Sequence, residues 1–423
     1  MNFKSWLIAS VCCCSSFLLN AETYFSGFGS LAGYQANGDT LSFKTDVASP
    51  YAGGDNDFEL ADLTNLGLQV NHILNPEWQL VGQVLLQKGR SNQLIDRVTI
   101  ASLNYTPNAN WMFRFGRFSA RNVWFSDSRY VNYAQTSVYP VSGFYNQIQT
   151  AALDGAEITY TNRIDEWLIS WNLYAGQSNH HFYNDSGNFE NRLRPVIGAA
   201  IEIDHLGWRI RAAHTYSKLA EQSFERDISA FLSAFTSVPP LYGLPAWHEA
   251  DDLQNETKYS DEPIEFTSVS FEYKKNSHLF RFEIGHLYTD SGLIINNTSG
   301  YLQYAYQINQ YTPFISVSAI DSTRGYEPYS WPSPDVFNAV TDVIGFDSMQ
   351  GLLGVMSVLQ NRSEQQSLSL GLRYDLNHSV ALKAQVEHFW IAQDGIGLWA
   401  RDNLMQEPDR QIDVIAVSLD WIF

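Results

Sequence analysis

The feature that most constrains this chain is the spacing of its connections. Runs of alternating apolar and polar residues, each the mark of a half-buried strand, occur in pairs joined by very short links. Thr64–Leu74 meets Trp78–Gln87 across Asn75-Pro76-Glu77, and Arg97–Thr106 meets Trp111–Phe118 across Pro107 to Asn110. Ala151–Thr161 is joined to Glu166–Gly176, Pro195–Asp204 to Gly207–Tyr216, and Ile264–Lys274 to His278–Tyr288. Ser299–Gln307 pairs with Gln310–Ala319, and Gln365–Tyr374 with Ser379–Trp390. With Thr23–Tyr34 at the start and Gln411–Phe423 at the end, the runs total sixteen. The other connections are longer: 35–63, 88–96, 119–150, 177–194, 217–263, 289–298, 320–364 and 391–410. An even number of strands, with short and long connections in strict alternation, is what an antiparallel sheet needs to close on itself as a barrel.

Magnitudes assign the two faces. Trp208-Arg209-Ile210-Arg211-Ala212 alternates, and each arginine turned to lipid at mid-depth would cost about 2–4 kcal/mol. Arg209 and Arg211 therefore face inward. The same rule turns Arg114, Arg281, Glu283, Arg373, Lys383 and Glu387 inward and sends Phe280, Phe282, Leu370, Leu382 and Val386 out. The interior is thereby expected to be polar, which a soluble core is not. The first strand, with Gly27, Gly29 and Gly33, leaves its faces unassigned, and Pro313 interrupts a proposed strand where it removes a ladder donor. Aromatics make up 14% of the chain. Trp78, Tyr105, Trp111, Tyr160, Trp167, Trp208, Tyr273, Tyr306, Tyr311, Tyr374 and Trp421 all fall near a short turn or the C-terminus, forming one interfacial belt. Strands of about ten residues tilted by about 40° span an apolar band of roughly 25 Å.

The ends of the chain agree. Lys4, the apolar run Trp6–Leu19 and a small residue at Ala21 read as an export signal over residues 1–21, too short for a membrane helix. Cys12, Cys13 and Cys14 all lie in it, so the mature domain, 22–423, contains no thiol. The net charge of −19 argues against nucleic acid as a partner. Much of the acid is in outer loops, for example Asp39, Asp46, Asp55, Asp57, Glu59 and Asp62. A divalent cation bridging these to lipopolysaccharide phosphates is the one ion site the loops suggest; no other cofactor is implied. Helical patterns occur within two long loops, at Phe224–Phe235 and Val336–Val343.

Chemistry for turnover is weakly signalled. His180-His181 is an adjacent pair, Gly27-Phe28-Gly29 lacks a surrounding βαβ unit, and no Gly-x-Ser-x-Gly elbow occurs. The chain is read as a non-enzyme.

The final strand, with Ile415, Val417, Leu419, Trp421 and terminal Phe423 on one face, resembles the assembly signal of Gram-negative outer-membrane proteins, read by the barrel-assembly machinery. Gly116-Arg117 before the loop 119–150, and Gly371-Leu372-Arg373-Tyr374-Asp375, resemble segments of proteobacterial porins. That resemblance implies a sixteen-stranded transmembrane barrel with short periplasmic turns and the third loop folded inward as a constriction. It also implies a homotrimer, with the first loop latching onto a neighbour. On this reading Arg114, Arg117, Arg121 and Arg129 form the basic half of a transverse field near Asp127, or else pin the loop to the wall. The expected function is passive diffusion of ions and small hydrophilic solutes across the outer membrane. A channel specific for an anion, dicarboxylate or sugar, and a plugged barrel serving as enzyme or adhesin, stay open as alternatives.

Overall fold

The computed structural model describes residues 21–45, 57–60, 63–87, 94–146, 152–184, 187–220, 222–322, 329–359, 362–393, 395, 397–401 and 407–423. The expected export signal up to residue 20, and Asp46, Asp55 and Asp62 of the first loop, lie outside them.

Sixteen long antiparallel strands form a closed barrel. They are β1 (Glu22–Ala36), β2 (Asn65–Asn75), β3 (Trp78–Gln87), β4 (Val98–Tyr105), β5 (Trp111–Phe118), β6 (Leu153–Ile164), β7 (Trp167–Asn184) and β8 (Gly187–His205). There follow β9 (Trp208–Leu219), β10 (Pro263–Lys275), β11 (His278–Thr289), β12 (Asn297–Tyr306), β13 (Tyr311–Ser322), β14 (Gln365–Asn377), β15 (Val380–Ile391) and β16 (Gln411–Ile422). A two-residue strand, Phe58–Glu59, adds to the edge of β1, and Leu41–Ser42 pairs with Ala400–Arg401 above the rim. Each long strand bonds to its sequence neighbours. β1 closes the ring by pairing with β2 from Glu22↔Ile73 to Ser30↔Asn65 and with β16 from Phe28↔Ile422 to Ala36↔Val414.

All sixteen runs expected from the sequence are strands, and the short connections have local causes. Asn75, Asn108 and Asn377 each accept backbone N–H groups two residues on through Oδ1, as in an Asx turn. The other four turns place Asp165, Leu206-Gly207, Asn276 or Asn309 at positive φ, the conformation a tight hairpin demands. One expected long connection is not a loop. Residues 177–184 and 187–194 continue β7 and β8, paired as far as Asn184↔Gly187 with a bulge between Leu193 and Val196. Pro313 also finds its reason. Tyr311 exchanges backbone hydrogen bonds with Ile308, so the nitrogens of odd residues here point toward β12. The β12–β13 ladder ends at Ala305↔Phe314, which puts the missing donor of Pro313 just past the ladder's end.

Outward residues form an apolar belt around the ring. Leu68, Val70, Phe115, Leu173, Ile197, Phe280, Phe282, Ile315, Val317, Leu370, Val386 and Val417 are all exposed. An apolar surface of this extent belongs against lipid. At the turn end it meets the aromatic belt. Trp78 stacks on Tyr105 at 4.3 Å, Trp111 lies 4.7 Å from Tyr160, Trp167 packs on His205 and Trp208, and Tyr311 stacks on Tyr374 at 4.8 Å.

β1 resolves once its partner is in place. Phe28, Ser30, Ala32, Tyr34 and Ala36 point inward and are buried, while Phe25 and Leu31 are exposed outside. The outer face therefore carries Gly27, Gly29 and Gly33, and a Cβ on Gly27 or Gly29 would collide with the rings of Phe423 or Trp421. The terminal aromatics thus lie across a glycine track on the first strand, and Phe423 exchanges backbone hydrogen bonds with Gly27 at 3.0 and 2.9 Å.

Two long loops carry helices: α1 (Ser223–Ser237) and α2 (Glu249–Glu256) between β9 and β10, α3 (Pro334–Ile344) and α4 (Ser348–Leu359) between β13 and β14. α1 and α3 match the helical patterns read in the sequence. The four share a core of Leu232, Phe235, Trp247, Leu253, Phe337, Val340, Leu352 and Met356 that contains no strand residue.

Gly29→Leu should weaken the seam by overpacking, by about 1–3 kcal/mol. It should lower the urea midpoint in detergent and deplete the folded band on an unheated gel. Gly82→Ala, where a Cβ would meet nothing within 4 Å, should leave both unchanged. Equal behaviour of the two would show that the glycine track does not hold the seam.

Candidate functional site: the barrel interior and its inward loop

The chain leaving β5 turns into the barrel, and residues 119–146 run along the inner wall of β9–β16. The contacts begin where Ser268 donates to the Asn122 carbonyl. Glu283 on β11 then accepts from the Trp124 N–H at 2.8 Å and from the hydroxyls of Tyr145, Tyr301 and Ser270. Glu387 on β15 accepts from Tyr139 and Ser367 at 2.8 Å, and Gln385 accepts from the Val138 N–H at 2.9 Å. A carboxylate facing several donors is satisfied only when they arrive together, so these two residues fix where the loop lies.

Cations hold the loop's carbonyls. Arg211 donates to Val123 O at 2.6 Å, Arg373 to Tyr133 O and Gln135 O, and Lys383 to Asn132 O and Ser137 O. Arginines also cover loop rings, Arg281 over Phe125, Arg373 over Tyr133, and Arg211 with Arg209 over Trp124. Each of these cations has a carboxylate on its own or an adjacent strand: Arg211–Glu202 2.5 Å, Arg281–Glu272 2.5 Å, Arg373–Asp375 2.8 Å and Lys383–Asp420 3.0 Å. Glu202 and Glu272 lie directly opposite their arginines in the ladder.

Two corrections to the sequence reading follow. Arg281, Glu283, Lys383 and Glu387 do face inward, yet they are buried beneath the loop and do not line water. Arg117 is not in the interior at all. It lies three residues from Arg114, an odd step, so the two point to opposite faces. Its partners are Asp154 at 2.7 Å and the carbonyls of Ile95 and Val98 on the outer side of the rim.

Nor is the interior uniformly polar. Near the long-loop end of β15, β16 and β1, the inward residues Phe389, Ile412, Val414, Ala416, Tyr34 and Ala36 pack with Val138 and Tyr139 of the inward loop. Leu41 and Phe43 of the first loop and Trp399 of the last complete this cluster. These positions meet folded chain rather than water, which is why apolar residues occupy them. Asp409 ties the first and last loops, accepting from the N–H groups of Asp39, Thr40 and Leu41 and from the Thr40 hydroxyl at 2.8–3.2 Å. Partial burial would raise its carboxyl, but the Thr40, Leu41 and Asp39 donors outweigh that and hold it below the ordinary value.

A second charge cluster lies at the start of the loop, where Arg114 and Glu157 are buried and Arg121 and Asp127 reach the surface. Arg114 bridges Glu157 at 2.5 Å and Asp127 at 3.8 Å, and Arg121 bridges the same two at 3.2 and 3.8 Å. Asp127 on the loop is half exposed. Beyond it, Arg209 pairs with Asp204 at 2.7 Å and lies over Trp124. Arg129 donates to Tyr145 O within the loop. The sequence gave no signal for Glu283 or Glu387 as loop anchors, because their partners are hydroxyls and backbone groups far along the chain. Among the described residues no three His, Cys, Asp or Glu come together as a metal site, and His180 and His181 lie in β7.

No protein-family model and no curated protein matches the chain. Solved structures match its fold along nearly the whole length. OmpF of Salmonella typhi, solved in complex with daunomycin, superposes with a TM-score of 0.54 at 12% identity, covering 95% of this chain and 97% of that one. The anion-selective porin of Comamonas acidovorans gives 0.52 at 10% identity over 96% and 100%. The outer-membrane channel DcaP of Acinetobacter baumannii gives 0.51 at 11% identity over 95% and 97%. At these identities the likeness is one of architecture.

Glu283→Ala together with Glu387→Ala removes the acceptors of three buried loop groups, the Trp124 N–H and the hydroxyls of Tyr145 and Tyr139. Leaving such groups unpaired costs about 1–3 kcal/mol each, so protease cleavage within 123–145 should accelerate in the folded barrel. Unchanged protection would show that the apolar contacts of Val138 and Phe144 suffice to hold the loop. The Asp409 latch contributes most above about pH 4, the ordinary carboxylate pKa, and its contribution is lost as pH falls through the lowered folded value. Protection of residues 39–41 against hydrogen exchange, taken relative to the intrinsic rate at each pH, should therefore fall in acid, and already at neutral pH in Asp409→Asn.

Proposed function

We propose that this protein is an outer-membrane porin of a Gram-negative bacterium: a water-filled barrel through which ions and small hydrophilic solutes diffuse passively, narrowed by its third loop. One observation carries the reading. The loop is pinned to the β9–β16 part of the wall, yet Arg121 and Asp127 on the loop itself, and Glu202, Asp204 and Arg209 on β8 and β9, still contact solvent. A loop held by this many interior anchors is a fixed constriction rather than a loose plug. The similarity to solved porins and outer-membrane channels supports the same conclusion. No step in this function requires turnover chemistry or a cofactor.

On this reading the apolar belt and Phe423 are what lipid and the barrel-assembly machinery meet. The acidic outer loops meet lipopolysaccharide, with divalent cations between, and the barrel works as a homotrimer. A first loop latched onto a neighbour fits less directly, since residues 39–44 are engaged with this chain's own last and third loops. The apolar cluster of Phe43, Tyr139, Phe389 and Trp399 favours a second reading, in which one side of the mouth stays shut and the open lane is narrow enough to select its solute.

Reconstitution in a planar bilayer tests the proposal: stepwise, ohmic conductance is expected, and folded protein that gives no steps would end the channel reading. Saturation of conductance by one solute would favour the selective version. Arg121→Ala should shift the reversal potential in a salt gradient. Arg114→Ala, buried against Glu157, should chiefly cost stability, by about 3–5 kcal/mol for a broken buried pair.

A further inference from the structure

Inside the barrel the two signs of charge are unequally covered. The inward loop turns carbonyl oxygens to much of the wall, and only a donor can bind a carbonyl. Cations are therefore drawn under the loop while the carboxylates beside them keep oxygens free for water. The side chain of Arg211 is 13% exposed and its partner Glu202 26%; for Arg373 and Asp375 the values are 14% and 26%. Arg114 is 10% exposed against 50% for Asp127. The order reverses at Arg209, 41% exposed beside Asp204 at 33% with part of its guanidinium over Trp124, and at the buried Glu157, 1% exposed against 10% for Arg114 and 26% for Arg121.

We infer that the conduit prefers cations, and that Asp127, the most exposed charge of the Arg114–Arg121–Glu157 cluster, is the main residue setting that preference. The inference rests on the channel reading and specifies its solute class: small cations pass more readily than anions of the same size. Equal numbers of charges do not make a neutral lane when one sign is capped by carbonyls and rings. The field that an ion meets is set by the groups whose charge reaches the water. Asp127 is suited to the role because its contacts to Arg114 and Arg121 are both long, 3.8 Å, so neither guanidinium closes over it.

Reversal potentials of the reconstituted protein in a potassium chloride gradient test this. At low salt the potassium-to-chloride permeability ratio should exceed unity. It should fall toward unity at 1 M, where the Debye length shrinks to about 3 Å. Asp127→Asn should lower the ratio at least about twofold, and Asp127→Lys should lower it further. Asp127 is half exposed and makes no short ion pair, so both variants should fold and insert. A wild-type ratio at or below unity, or a ratio that does not move in Asp127→Asn and Asp127→Lys, would overturn the inference while leaving the channel standing. Folded protein that never conducts would overturn both.

Discussion

Everything in this molecule depends on a backbone constraint at one seam. A strand facing lipid cannot leave N–H and C=O groups unpaired, so a membrane sheet exists only if its first and last strands find each other. Here β1 bonds β2 with its first half and β16 along its second, the two registers overlapping from Phe28 to Ser30. The side chains make that possible. Trp421 and Phe423 need space on the outer face, and glycines at 27 and 29 supply it. The terminal aromatics are thus structural pieces of the closure as well as members of the interfacial belt.

Closure creates a second problem, a wide interior in which a long loop has to be held by more than its apolar cluster of Val123, Phe125, Val141, Phe144 and Tyr145 with Phe266 and Tyr301 of the wall. The solution combines two chemistries. Where the loop presents donors, as at Trp124, Val138, Tyr139 and Tyr145, the wall answers with Glu283, Gln385 and Glu387. Where it presents carbonyls, at Val123, Asn132, Tyr133, Gln135 and Ser137, the wall answers with Arg211, Arg373 and Lys383. Breaking one partner of such a set strands a buried charge, which costs far more than the pair itself contributes. The loop is consequently rigid for an electrostatic reason, and its position follows from the order of charges on β9–β16.

How much of this the sequence disclosed depended on whether a residue's partner was local. Strand number, turn positions and the outward faces of β5, β9, β11, β14 and β15 were legible, because alternation and short turns are properties of neighbours. The misplacement of Arg117 was avoidable, since parity alone separates it from Arg114. Residues 177–193 hid as a loop because Gln177 to Asn188 is polar at nearly every position, leaving no alternation to read. β16 misled in the opposite way. Ile412, Val414 and Ala416 are apolar on the inner face as Ile415 and Val417 are on the outer, and only the loops that cover them explain why. The anchoring roles of Glu283 and Glu387 were out of reach for the same reason: each bonds groups well over a hundred residues away in the chain.

The division of labour among the loops has a consequence for what the barrel can vary. Apart from Phe224 of α1, which packs on the cluster of Phe118, Leu153 and Leu219, α1–α4 pack into a core that shares no residue with the wall, so changes within that core are nearly uncoupled from the seam and from the inward loop. The first, third and last loops are the reverse case. Phe43 sits against Tyr34, Tyr139, Phe389 and Trp399 at ring distances of 5.0–6.1 Å, so a substitution there is felt by both the wall and the inward loop. The mouth is therefore built from two regions of different character. One is a helical rim with its own apolar core, and the other is a coupled wedge whose packing ties the first, third and last loops to the wall.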